Sequence, residues 1–165
     1  MTETLQDLMD TMPQTGRVKW IGVRPARRAP VQILERVDAD TSQGLVGDRY
    51  AGRSGGRHVT LIQWEHLPAV ASVLGRESVD PALVRRNIAV AGINLLALKD
   101  RLFRIGDATL EFTDLCQPCS RMEEALGPGG YNAMRGHGGI TARVVRSGAI
   151  ALGDGVALLR QRPGA

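Results

Sequence analysis

The stretch RLFRIGDATLEFT, residues 101–113, decides the fold. Leu110 and Phe112 stand on one side of an alternating pattern and Glu111 and Thr113 on the other, the period of a half-buried strand. Gly106-Asp107 interrupts two such runs, which reads as a hairpin turn. The same grammar recurs over Ala149 to Leu159, where Gly153-Asp154 separates two apolar runs and predicts a second hairpin.

Strand signals continue on either side. Residues 17–23 and Val31 to Val37 read as strands, as do His58 to Gln63, Asn87 to Ala91 and Ile140 to Arg146. Helical spacing is scarcer. It covers residues 3–12 through Leu5, Leu8, Met9 and Met12, Trp64 to Leu74 up to Gly75, a short piece from Asp80-Pro81 to about Arg86, and Ser120 to Leu126. Many short strands and few helices predict a mainly β chain with peripheral helices, a small β-barrel. No linker or repeat divides it. An N-terminal helical arm over 1–16, a barrel domain over 17–160 and a tail over 161–165 are expected.

With 165 residues and 43% hydrophobic content, the chain can bury a core without disulfide or metal staples. No apolar run is long enough for a membrane span, and the acidic start MTETLQDLMDTM lacks a secretory signal, so a soluble, cytoplasmic protein is expected. Among 21 basic residues only Lys19 and Lys99 are lysines; the rest are arginines, whose planar forks suit phosphates and carboxylates. They are dispersed, and aromatics make up 4%, which argues against a nucleic-acid surface.

The only cysteines form one C-x-x-C, Cys116 and Cys119. Cys119 follows Gln117-Pro118 at the start of a predicted helix, where unpaired N–H groups favour a thiolate and Arg121 adds positive charge; it is the candidate nucleophile or metal ligand. Cys116 reads as structural. Two sulfurs with only His58, His66 and His137 besides carboxylates leave a structural zinc the less favoured alternative, and the βαβ frame of a dithiol oxidoreductase is missing. Three polar segments could surround the thiol. One is the glycine-rich loop 47–57, with Asp48, Arg49, Arg53 and Arg57. The second is Arg85-Arg86-Asn87-Ile88, and the third is 127–139, with Arg135, His137 and Gly138. Together they describe a pocket for an anionic, heteroatom-rich ligand held through sulfur.

In order, Gly47-Asp48-Arg49, His58-Val-Thr-Leu-Ile, Arg85-Arg86-Asn87-Ile88, Gly92-Ile93-Asn94-Leu95, Cys116-Gln-Pro-Cys119 and Gly136-His137-Gly138-Gly139 form a set that resembles the MOSC domain, the family of the molybdenum-cofactor sulfurase C-terminal domain. The resemblance spans about residues 17–160. It implies a MOSC-type barrel and a role with the molybdenum cofactor, with Cys119 ligating the metal. Asp48, Arg49, Arg57, Arg86, Asn87, Arg121, His137 and Gly138 would contact the pterin and its phosphate. It further implies a small oxidoreductase acting on N-hydroxylated or related substrates, or a carrier of sulfur or cofactor on Cys119, with an electron-donor or cofactor-delivery protein as partner. Family members often have His where Tyr50 stands. The pyridoxal-phosphate domain of full sulfurases has no counterpart, so no such site is expected.

Overall fold

The computed structural model describes residues 2–50, 54–161 and 163–164. Its strands are β1 (Gly16–Val23), β2 (Gln32–Leu34), β3 (Arg36–Asp40), β4 (Gly44–Leu45), β5 (Val59–Gln63), β6 (Ile88–Ala91), β7 (Leu102–Ile105), β8 (Ala108–Leu115), β9 (Ile140–Arg146), β10 (Gly148–Ala151) and β11 (Gly155–Leu158). The helices are α1 (Leu5–Asp10), α2 (His66–Val73), α3 (Ser120–Leu126) and α4 (Gly130–Met134), with 3-10 turns at Pro81–Val84 and Leu95–Leu98.

Strands β1, β6, β5, β9, β8, β7 and β11 follow one another in the main sheet, and β11 pairs back onto β1 through Gly16 and Arg17. The result is a closed seven-stranded barrel, antiparallel except for the parallel pair β5–β6. Closure leaves no free edge within the ring. Strand β2 flanks β1 outside it, and β10, β3 and β4 make a separate small sheet.

Alternation explains where the helices sit. In β5 and β6, Leu61, Ile88 and Val90 point into the barrel with Phe103, Ile105, Leu110 and Val144. Ile62 and Ala89 point outward, into a second cluster with Val70, Val84, Met122, Leu126 and Met134. Both faces of this strand pair are therefore covered, as a parallel pair requires. The second cluster seats α2, α3 and α4, and so fixes the start of α3.

The 101–113 hairpin forms as its sequence predicts, with Phe103 opposite Leu110. The second predicted hairpin does not form: β10 pairs with β3, and β11 with β7 and β1. The turn between them docks on β1 instead, where Val18 donates to the Asp154 carbonyl and Gly153 N–H donates to the Val18 carbonyl. Likewise the single strand expected over Val31 to Val37 divides at Glu35, β2 staying on β1 while β3 joins β10. Helix α1 is closed by a reciprocal Thr4–Asp7 capping box, yet Leu5, Leu8 and Met9 face solvent. Asp10 ties the arm to the buried Arg101 at 2.7 Å. No helix among the described residues is long and apolar enough to cross a membrane.

Candidate functional site

Strand β8 delivers the chain to Cys116, whose N–H donates to the Gly139 carbonyl at 2.8 Å. The side chain of Cys116 is 1% exposed. Three residues on, Cys119 is the N-cap of α3 in an extended conformation, φ −131° and ψ −179°, and it is exposed. Neither cysteine is in a disulfide. Pro118 is buried between them and helps hold the turn into α3.

Arg86 braces this loop from below. It is 6% exposed, and its Nε donates to the Gly138 carbonyl at 2.6 Å, Nη1 to Val84 at 3.1 Å and Nη2 to Cys116 at 3.2 Å. A Cβ on Gly138 would collide with the Cys116 carbonyl, so only glycine lets the two segments approach this closely. Burial, with Arg57 and Arg85 nearby, pulls the Arg86 guanidinium below its usual pKa, while the Cys116 and Cys119 sulfurs act in the opposite direction. Expected in the pocket, Arg86 instead spends its donors on the backbone that shapes it.

Beside the loop lies a cleft of about 490 Å³ lined by Arg24, Arg49, Arg57 and Arg85, with Thr60 and Asn87 among its other walls. Arg85 reaches it because residue 85 adopts a left-handed conformation, φ 62° and ψ 29°, that ends the Pro81–Val84 turn. The reversal sends Arg85 to the cleft and Arg86 into the interior. Burial and neighbouring cations lower the Arg24 and Arg85 guanidinium pKa values: Arg85 bears on Arg24, and Arg121 then Arg49 on Arg85. The Cys119 sulfur opposes the lowering at Arg85, so thiol and cation share one field. Arg57 also reaches out to the Cys116 sulfur at 3.7 Å.

Asp48 is the cleft's one carboxylate among the described residues; its Oδ1 accepts the Arg24 N–H at 2.8 Å and fixes the 44–50 loop on the end of β1. Asn87 is a rivet. Its Oδ1 accepts from the Thr60 N–H and hydroxyl, both at 3.0 Å, and its Nδ2 donates to Gly22 at 3.1 Å, crosslinking β5 and β1. The Tyr50 hydroxyl accepts the Gly55 N–H at 2.9 Å, and its ring stands edge-on to His58 at 5.0 Å. Arg24 and Thr60 escaped the sequence reading; Arg24 carried only the weak signal of a cation before Pro25.

The third segment contributes backbone rather than side chains. His137 turns away, its ring 4.9 Å from that of His66 and its Nδ1 3.0 Å from the Ala133 carbonyl. Arg135 is exposed, and Arg121 sits half-buried on α3. Arg53 lies outside the described residues. No three His, Cys, Asp or Glu side chains among the described residues converge on a point that could hold a bare metal ion. The described residues thus offer one exposed thiol, Cys119, and a cleft of four guanidinium groups able to pair with an anion.

The family model of the MOSC domain matches residues 42–157. Among solved structures, the YuaD protein from Bacillus subtilis is similar over 87% of this chain and 95% of its own, with 20% identity and a TM-score of 0.74. YiiM from Geobacillus stearothermophilus is similar over 91% of this chain and 78% of its own, with 18% identity and a TM-score of 0.70. YiiM from Escherichia coli gives 88% and 70%, 17% identity and a TM-score of 0.67. No curated protein matches the sequence.

Proposed function

We propose that this chain, which belongs to the MOSC domain family, binds the molybdenum cofactor, with the Cys119 thiolate ligating the metal, and works as a small oxidoreductase on N-hydroxylated or related compounds. The observation that carries the reading is a four-arginine cleft of about 490 Å³, within the size range of small-molecule and cofactor sites, one of whose cations, Arg85, feels the exposed Cys119. Membership in the family relates the chain to that cofactor; the residue roles and the reaction are our own reading.

In this reading Arg24, Arg49, Arg57 and Arg85 neutralise and orient the phosphate end of the ligand, since charge-assisted hydrogen bonds from guanidinium to phosphate are among the stronger polar contacts. Asp48 and Asn87 hold the cleft's walls in register, while Arg24 leans on the Ala82 carbonyl and Arg57 on the Cys116 sulfur. Arg86, Gly138 and Gly139 fix the loop from which Cys119 projects, so the thiol is positioned before the ligand arrives. When bound, the cofactor supplies two-electron redox chemistry at the metal. Cys119 contributes a soft ligand that anchors this centre to the chain.

Turnover tests the reading. Protein purified from a molybdate-supplied host should reduce N-hydroxylated compounds with a chemical electron donor, and Cys119→Ala should abolish it. An intact mass raised by about 32 Da on Cys119, one sulfur atom, without turnover would replace the enzyme by a sulfur carrier.

A further inference from the structure

Arg86 is not the only buried guanidinium. Arg101 is 4% exposed and uses its donors poorly. Its Nη1 donates to Asp10 at 2.7 Å, and Nη2 reaches the Leu159 carbonyl only at 3.5 Å. Its Nε is buried with no hydrogen-bond partner among the described residues. An unpaired polar atom in the interior costs free energy and is rare in folded chains. The backbone gives Arg101 no room to escape: its N–H donates to the Leu98 carbonyl, and its own carbonyl accepts from Phe112. The side chain is therefore fixed where the Leu95–Leu98 turn leads into β7.

This guanidinium lines a groove of about 540 Å³ between the N-terminal arm and that turn. Leu8, Met9 and Met12 line it from the arm, and Leu96 and Ala97 from the turn, while Lys99 and Asp100 offset each other in charge. The groove includes neither cysteine and shares no lining residue with the arginine cleft. Its arm side is poorly covered. No residue of α1 is buried, Leu8 and Met9 stay in solvent, and a helix of six residues is too short to persist on propensity alone. Met12, packed against the barrel core, and Asp10, on Arg101, tie the arm down.

We propose that this groove binds a medium-chain carboxylate, whose head replaces Asp10 on Arg101 and engages Nε as well, while its alkyl chain covers Leu8, Met9 and Leu96. The site stands apart from the cofactor reading. A guanidinium meets a carboxylate as a planar, two-pronged pair, which selects the head group. The apolar walls favour an alkyl body over a bare anion, and the volume lies within the range of small-molecule sites. Asp10 is the internal occupant that the ligand displaces, so the arm moves aside as the site fills.

Amide NMR of the full-length chain with octanoate, acetate and octanol as probes tests this. Octanoate is expected to bind saturably with a Kd of about 0.5 mM, shifting Leu8, Met9, Ala97 and Arg101, and acetate and octanol each about tenfold more weakly or worse. Asp10→Asn removes the competing charge and should tighten octanoate by about tenfold. Arg101→Met should abolish octanoate binding. Because that variant also gives up a buried tie, Leu96→Glu, a change at an exposed position of the groove, supplies a second reading. It places a like charge beside the ligand and should weaken octanoate by about tenfold while unfolding like the wild type. Octanol binding as tightly as octanoate would overturn the proposal. So would an Asp10→Asn variant that binds no better than the wild type, or octanoate shifts at Arg24 and Arg85 in place of the arm.

Discussion

Replacing Arg86 by methionine keeps much of the side chain's length and removes every donor. Three carbonyl oxygens lose their partner, those of Gly138, Val84 and Cys116. A hydrogen bond to a charged group contributes about 1.5–3 kcal/mol, so three give a gross loss of about 4.5–9 kcal/mol. Against this, the variant no longer buries a cation, and Arg86 has no carboxylate partner among the described residues that would then be stranded, so several kcal/mol of desolvation cost are recovered. The balance is a net loss of about 3 kcal/mol, or about 6–12 °C in Tm for a chain of this size. Urea unfolding followed by tryptophan fluorescence reads it, since Trp20 and Trp64 pack against the helix-bearing cluster. Arg86→Lys keeps the charge but cannot serve three carbonyls at once, and should lose about half as much. A loss below about 1 kcal/mol in Arg86→Met would refute the bracing role. Full rescue by lysine would show that charge rather than the threefold bond matters.

Gly138→Ala drives a Cβ into the Cys116 carbonyl and should destabilise by about 3 kcal/mol or more, whereas Gly153→Ala, with nothing near its Cβ, should lose only about 1 kcal/mol for its positive φ; thermal melts compare them. His58 is pushed below the ordinary histidine pKa of 6.5 by burial first and by Arg143 second, with Asp40 opposing. Below pH 6.5 the unfolded chain therefore binds a proton that the folded chain refuses, and stability falls as pH drops from 6.5 toward the lowered folded value. His58→Asn, which keeps an acceptor for the Val144 N–H, should flatten that part of the profile in urea melts at stepped pH. Asp10→Ala frees the arm from Arg101 and should lose about 1–2 kcal/mol, with faster proteolysis within the first twelve residues.

The barrel was legible because β8 alternates cleanly: Leu110 and Phe112 against Glu111 and Thr113 report a half-buried sheet without any tertiary knowledge. The failed hairpin at Gly153-Asp154 was not legible, since the Val18 peptide, far away in sequence, takes up that turn's backbone groups. Cys119 stood out in the sequence because it opens a predicted helix, and Cys116 read as structural because neither a dithiol frame nor a zinc-ligand set accompanies it; the structure leaves the first exposed and buries the second. What sequence could not disclose was the division of labour within Arg85-Arg86-Asn87. That depends on a single left-handed residue, which turns adjacent arginines into opposite environments. His137 was expected among the cleft residues because it adjoins Gly138, but the ring follows α4 toward His66 while the backbone stays with the cysteine loop. Arg24 went unseen because its guanidinium is held by the Ala82 carbonyl and its backbone by Asp48, partners 58 and 24 residues away in the chain.

Molybdenum per chain, measured by elemental analysis on protein from a molybdate-supplied host, bears most directly on the role of Cys119. The wild type and Cys116→Ala should each carry close to one equivalent, and Cys119→Ala should carry almost none while unfolding like the wild type. Equal metal in the wild type and Cys119→Ala would contradict the account.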